Sequence, residues 1–147
     1  MKAFTLTEVL IVLAIMLIVG AASLPLIGNW SFNAQTDGAR LQLAQDVRLT
    51  RAKTLAAVKG DVYGIKLLTD GYVLFKGASY GARQTDYDVK VNLAKGLALS
   101  WQLGGSGQAD EIVFVDYTAW PTRWGKIIIN AGDTNSTLTL NQAGYIE

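Results

Sequence analysis

Residues 1–30 read MKAFTLTEVLIVLAIMLIVGAASLPLIGNW. From Val9 to Thr36 no side chain is charged, and Val9 to Ile27 is almost wholly Val, Ile, Leu, Ala and Met. An apolar run of about 18 or more residues is long enough to cross a bilayer as a helix. Glu8 stands at the lip of that run. A carboxylate carried into the apolar phase costs about 2.5–3.5 kcal/mol unless it finds a partner. The fold and the function of the chain both turn on why Glu8 is there.

Three readings compete. A secretory signal peptide would use Lys2 as its positive end and cut beside Gly20-Ala21-Ala22-Ser23. Its apolar core is normally only about 7–15 residues, and its first segment carries positive charge where this chain has Glu8. A plain membrane anchor would keep Lys2 in the cytoplasm and place Trp30 at the far interface, where amphipathic aromatics collect. That accounts for the length and leaves Glu8 unexplained. The third reading accounts for both the length and Glu8, and it rests on a resemblance carried by residues 2–8.

The string Lys2-Ala3-Phe4-Thr5-Leu6-Thr7-Glu8 resembles the type IV prepilin signature. That signature is a short basic leader, a small residue, then Phe-Thr-Leu-x-Glu opening an apolar helix. The resemblance implies cleavage by a prepilin peptidase between Ala3 and Phe4, and N-methylation of the new amine on Phe4. It also implies that Glu8, about one helical turn beyond Phe4, meets the N-terminal amine of a neighbouring subunit during assembly. Pro25 stands at the family's distance from Phe4 and lacks an N–H, so it loosens the helix. The family normally has Gly before the cut; here it is Ala3.

Residues 30–60 read as a continuation of the helix, with Gly60 as its stop. Leu43, Val47 and Val58 form an apolar stripe whose gaps Thr50 and Thr54 fill. Leu41, Ala52 and Leu55 lie to one side of it, and Leu49 and Ala56 further round. Such a helix is apolar on several sides: one side suits the chain's own sheet and another suits neighbouring subunits. Arg40, Arg48, Arg51, Lys53 and Lys59, against Asp46, read as solvated or inter-subunit charge.

After Gly60 the periodicity shortens to that of strands. Val62–Leu67 and Tyr72–Lys76 read as a hairpin turned by Asp70-Gly71. Further strands are expected over Tyr87–Leu93, Leu97–Leu103, Glu111–Asp116, Lys126–Asn130, Thr137–Leu140 and Tyr145-Ile146, with Gly104–Gly107 as a flexible tip. The expected architecture is α+β. A leader (1–3) precedes a membrane-spanning or filament-core helix (4–29), its soluble half (30–60), and a β-rich globular head (61–147) in which helix packs on antiparallel sheet. Within the pilin superfamily the head resembles the GspH/FimT-type group. The resemblance rests on Leu49–Ala56 at the helix end, the hairpin directly after it, and the closing Thr137–Leu140 and Gly144-Tyr145-Ile146.

Composition narrows the chemistry. The chain of 147 residues has a net charge of +1, no cysteine and no histidine. It therefore lacks disulfides, thiolate chemistry and the commonest general base and metal ligand. No cofactor, metal site or catalytic residue is expected. Asp86, Asp88, Asp110, Glu111, Asp116 and Asp133 are acids without the spacing of a calcium loop. Trp120-Pro121-Thr122-Arg123-Trp124 offers either a nucleic-acid or partner contact at Trp120, Arg123 and Trp124, or tryptophans folded over the sheet with Arg123 pointing out. Some FimT-like proteins bind DNA through a basic motif after a Gly; here Gly144 is followed by Tyr145-Ile146-Glu147.

The resemblance thus implies a non-enzymatic structural subunit of a type IV pilus, a type II secretion pseudopilus or a DNA-uptake filament. Its partners would be other pilin subunits, the prepilin peptidase and an inner-membrane assembly platform. It would be a single-pass inner-membrane protein with an exported head, later part of a filament outside the cytoplasm. The alternative is a DNA- or surface-binding tip protein.

Overall fold

The computed structural model describes residues 5–57, 60–115, 117–132 and 134–147, with their side chains except those of residues 22–32. Helical backbone, α1, runs Leu6–Ala56. The chain divides into two compact units, Met1–Ala34 and Gln35–Glu147.

Met1–Ala34 contains the first part of α1. The membrane-spanning segment expected over residues 4–29 is not found as such: among the described residues no helix is long and apolar enough to cross a membrane. The apolar run Val9–Ile27 passes into side chains that lie outside the described residues. Ala3 and Phe4, and the side chain of Pro25, lie outside them as well.

In Gln35–Glu147, the last turns of α1 pack on two antiparallel sheets. The strands are β1 (Tyr63–Leu68), β2 (Gly71–Lys76), β3 (Gln84–Asn92), β4 (Leu97–Gly105), β5 (Glu111–Val113), β6 (Arg123–Ala131) and β7 (Thr134–Leu140). The order is β3-β2-β1-β5 in one sheet and β4-β6-β7 in the other. One core joins Leu43, Ala44 and Val47 of α1 to Ile65, Leu67 and Tyr72 of the first sheet and to Leu99, Ile127, Ile129 and Leu138 of the second. The sheets are also tied through backbone: the hairpin tip at Thr69 accepts from the N–H of Leu99 at 2.8 Å.

The buried positions Thr36, Leu43, Val47, Thr50 and Thr54 recur every three, four or seven residues, so they form one stripe. Thr50 and Thr54 are not passive fillers. Thr50 Oγ1 donates to the carbonyl of Asp46 at 2.7 Å, and Thr54 Oγ1 to that of Thr50 at 3.2 Å. Thr54 Oγ1 also accepts from the N–H of Tyr63 at 3.2 Å. The hydroxyl thus satisfies the first N–H of β1, a donor that would otherwise be costly to bury. Leu41, Leu49 and Leu55 remain exposed, and α1 ends at Ala56 rather than at Gly60.

Several elements differ from expectation for identifiable reasons. Gly71 does not make the turn: it is the first residue of β2, paired with Leu68 and Asn92. A Cβ there would fall 2.2 Å from the Val91 carbonyl oxygen, so close strand approach is what requires glycine. Gly104 and Gly105 are no loose tip; they pair with Trp124 and Arg123. The strand expected over Glu111–Asp116 stops at Val113; Phe114 makes only an isolated bridge, to Pro121. Tyr145-Ile146 contributes an isolated bridge, Leu140 to Ile146, instead of a strand.

Tyr72 joins helix to sheet by a polar bond: its hydroxyl donates to Asp46 Oδ2 at 2.6 Å. Burial, and then the bond to the Asp46 carboxylate, holds this phenol protonated well above the usual tyrosine range. A folded-state pKa above the unfolded value contributes stability that is complete below about pH 10 and is lost as pH rises. Lys66 moves with the same sign; burial lowers its pKa, but the bonds and charges of Asp110 and Glu111 outweigh it. The unfolding free energy from urea titrations should therefore fall above about pH 10, by up to about 1.4 kcal/mol per pH unit for Tyr72 alone. Tyr72→Phe should make that decline visibly shallower, and an unchanged slope would separate Tyr72 from the effect.

Candidate functional site

Thr5 caps α1. Its carbonyl accepts from the N–H groups of Glu8 and Val9 at 3.1 and 3.3 Å, and its hydroxyl accepts from the N–H of Glu8 at 3.3 Å. Thr5-Leu6-Thr7-Glu8 therefore has the Thr-x-x-Glu spacing of a capping box, with Glu8 at the third helical position. This is a second physical reason for an acid here, and the spacing was open to view in the sequence. Glu8 is exposed beside Val9, Val12 and Leu13, and among the described residues no cation pairs with it. Around it Leu6, Leu10, Ile11, Leu17 and Ile18 are each more than half exposed. Apolar side chains on every side of a helix are stable only when lipid or protein covers them.

On the head, α1 leaves Leu41, Leu49 and Leu55 exposed. The basic residues of this helix are more occupied than expected. Arg40 Nε donates to the Thr137 carbonyl at 2.9 Å, and Arg51 Nε to that of Ala119 at 3.3 Å. Arg51 also lies 4.4 Å from the centre of the Tyr145 ring. Gly144, at φ 79°, admits this approach, since a Cβ there would meet Arg51 Nε at 3.0 Å. Asn141 Oδ1 holds the same turn by accepting from the N–H groups of Ala143 and Tyr145 at 3.0 and 2.9 Å. The helix end and the closing Gly144-Tyr145-Ile146 thus meet around a shallow depression of about 290 Å³. The sequence carried no spacing that linked Arg51 to residues so far along the chain.

Neither expectation for Trp120–Trp124 holds in full. Trp120 is 60% exposed, on a loop whose Val115 and Tyr117 are exposed too. Trp124 is half-buried and lies against Gly105, where a Cβ would come within 2.9 Å of its ring. Arg123 turns onto the end of β4 and the loop after it, donating to the carbonyls of Leu103 at 3.2 Å and Gly107 at 2.6 Å.

Three of the acids, Asp88, Asp110 and Glu111, are held by cations. Lys66 Nζ lies 2.7 Å from Asp110 and 3.4 Å from Glu111, and Arg83 Nε lies 2.7 Å from Asp88. Glu111, nearly buried, also accepts from the N–H of Tyr80 at 3.1 Å, and so pins the loop before β3 over the first sheet. The Tyr80 ring there meets Phe75 edge-on at 5.6 Å. Asp116 and Asp133 lie outside the described residues.

No protein-family model matches the chain, and no curated protein matches it. Among solved structures it is similar to a crystal structure of the type IV minor pilin FimU of Pseudomonas aeruginosa. The likeness covers 80% of this chain and 90% of that one, at a TM-score of 0.56 and 17% identity. The fold is pilin-like: a helix packed on antiparallel sheets.

Proposed function

We propose that the chain is a non-enzymatic structural subunit of a type IV pilus or a related pseudopilus. The observation that carries this reading is the fold shared with a minor pilin structure across most of both chains. The exposed apolar helix with Glu8 at its lip supports it, since such a surface needs lipid or other subunits to cover it. In this reading a prepilin peptidase cuts between Ala3 and Phe4, and the amine of Phe4 is methylated. The helix first anchors the chain in the inner membrane with the head exported. An assembly platform then moves it into a filament, where Glu8 meets a neighbour's amine and Pro25 eases the helix. The head's features fit best with the GspH/FimT-type minor pilins and pseudopilins. The exposed leucines of α1 suit contact with adjacent subunits.

Mass spectrometry of the chain isolated from its own membranes tests this reading. The expected N-terminus is a methylated Phe4. An N-terminus at Met1, or at Leu24 as a signal peptidase would leave it, overturns it.

A further inference from the structure

We propose that the outer face of the sheet β4-β6-β7 binds a glycan, with one sugar ring stacked on Trp124 and the carboxylate of an adjacent acidic sugar on Lys126. The proposal goes beyond the filament reading and does not depend on it, because it uses the head alone. The other face of this sheet is core: Leu99, Ile127, Ile129 and Leu138 pack there with α1. Side chains alternate along a strand, so Trp124, Lys126 and Ile128 of β6 point the opposite way, away from α1. In a filament built around α1, that face looks outward.

Trp124 rests on bare backbone. It pairs with Gly104 across the strands. A Cβ on Gly104 would stand 3.9 Å from its Nε1, and one on Gly105 would stand 2.9 Å from its Cζ3. The indole therefore lies across the end of β4, where two consecutive glycines make room for it. It is half-buried, so the glycines cover part of the ring and the rest stays open. Its Nε1 makes no hydrogen bond among the described residues, which leaves a donor at the rim of an apolar plate. Such a plate accepts the apolar C–H face of a sugar, while a polar rim meets the hydroxyls.

The next row along the sheet supplies the polar groups. Gln102, Lys126 and Thr139 stand side by side on three strands. One row on is about 7 Å along the strands, so a sugar adjacent to the stacked ring reaches it. Beyond it Ser100 and Thr137 flank Ile128 and extend the hydroxyl surface. Lys126 is exposed, and among the described residues no acid pairs with it. β4, β6 and β7 contain no acidic residue at all. Glu147, whose backbone bonds to Thr139, stands two strands away from Lys126 at the margin of the row.

This charge pattern selects among ligands. A nucleic acid carries a phosphate on every nucleotide and needs a track of cations. Here Lys126 is alone, because Arg123, the other cation of these strands, is turned onto the carbonyls of Leu103 and Gly107. An acid at the margin also repels a continuous polyanion. One cation amid amide and hydroxyl groups suits a chain in which acidic sugars are spaced by neutral ones.

Isothermal titration calorimetry on the full chain tests this, in a detergent without a sugar headgroup. The probes are hyaluronan oligosaccharides, in which uronate and neutral rings alternate, their methyl esters, and a dT oligonucleotide. The unaltered chain should bind hyaluronan with a dissociation constant on the order of 0.1–1 mM. Trp124→Leu keeps an apolar cover on the glycines but removes the aromatic plate, and should weaken binding about tenfold or more. Trp124→Phe restores a ring and should recover most of that loss. Lys126→Gln should bring the acidic oligosaccharide down to the level of its methyl ester and abolish the dependence on salt. No binding of hyaluronan overturns the proposal, as does binding that Trp124→Leu and Lys126→Gln leave unchanged. Tighter binding of the oligonucleotide, lost in the same two variants, overturns it in favour of a nucleic-acid surface.

Discussion

Phe114→Ala is expected to lower the stability of the head by about 3–5 kcal/mol, within the range measured for large-to-alanine changes of buried aromatics. Phe114 has no exposed surface and belongs to the single core that α1 shares with both sheets. It stands just past β5, where its N–H donates to the Tyr63 carbonyl at 3.0 Å and its backbone bridges to Pro121. Collapse around a cavity there is resisted because those backbone bonds fix the walls. Domains of this size have only about 5–15 kcal/mol in total, so the variant should lose a large share of its folded population on mild heating. The check is urea unfolding followed by tryptophan emission, with the midpoint displaced and the slope unchanged. A loss below about 1 kcal/mol would mean that Phe114 is not the keystone of the core that its burial indicates.

How much of this was legible in the sequence depends on how local each cause is. The buried stripe of α1, with Thr50 and Thr54 in its gaps, follows from helical periodicity, and the structure buries both threonines. The β1–β2 hairpin was legible from alternation and a turn-forming pair, although Gly71 turned out to serve close strand approach. The length of β6, Arg123–Ala131, exceeded its apolar run because Trp124 pairs with β4 and Gly125 pairs with both β4 and β7. Pairing partners of that kind come from distant segments and leave no local mark. Cation placement was illegible for the same reason. Arg51 is a helix residue like Arg48 until the turn at Gly144 and the carbonyl of Ala119 arrive beside it. Arg123 looked free in the sequence because the carbonyls it holds belong to β4 and the loop after it, some 16 to 20 residues earlier in the chain.

The candidate site was readable in the opposite sense. Everything said of Glu8 from the sequence concerned a surface the single chain does not complete. The structure adds a rival explanation that the same residues supported, the cap built on Thr5. An acid near a helix N-terminus is also favoured by the helix dipole. Both causes are local and modest, whereas pairing with a neighbour's amine in an apolar surround is a large effect confined to the assembled state. The two can be separated by experiment because they ask for different properties of the side chain.

Glu8→Gln is the variant that separates them. Gln serves in a capping box as Glu does, so the helix start should survive with a cost of a few tenths of a kcal/mol from the lost charge–dipole attraction. If Glu8 acts through its charge on a neighbour's amine, Gln leaves that amine unpaired against apolar side chains. Breaking one partner of a buried ion pair typically costs about 3–5 kcal/mol, which is a factor of roughly a hundred to several thousand in the equilibrium for incorporation. Both Glu8→Gln and Glu8→Ala should therefore insert into the membrane at normal levels and be almost absent from sheared filaments, compared by immunoblot of the two fractions. Incorporation of the Gln variant at the level of the unaltered chain, with loss only for Ala, would assign Glu8 to the cap and remove its proposed role between subunits. Loss of both variants from the membrane fraction would instead place the defect in folding or insertion, and would equally sink the assembly role.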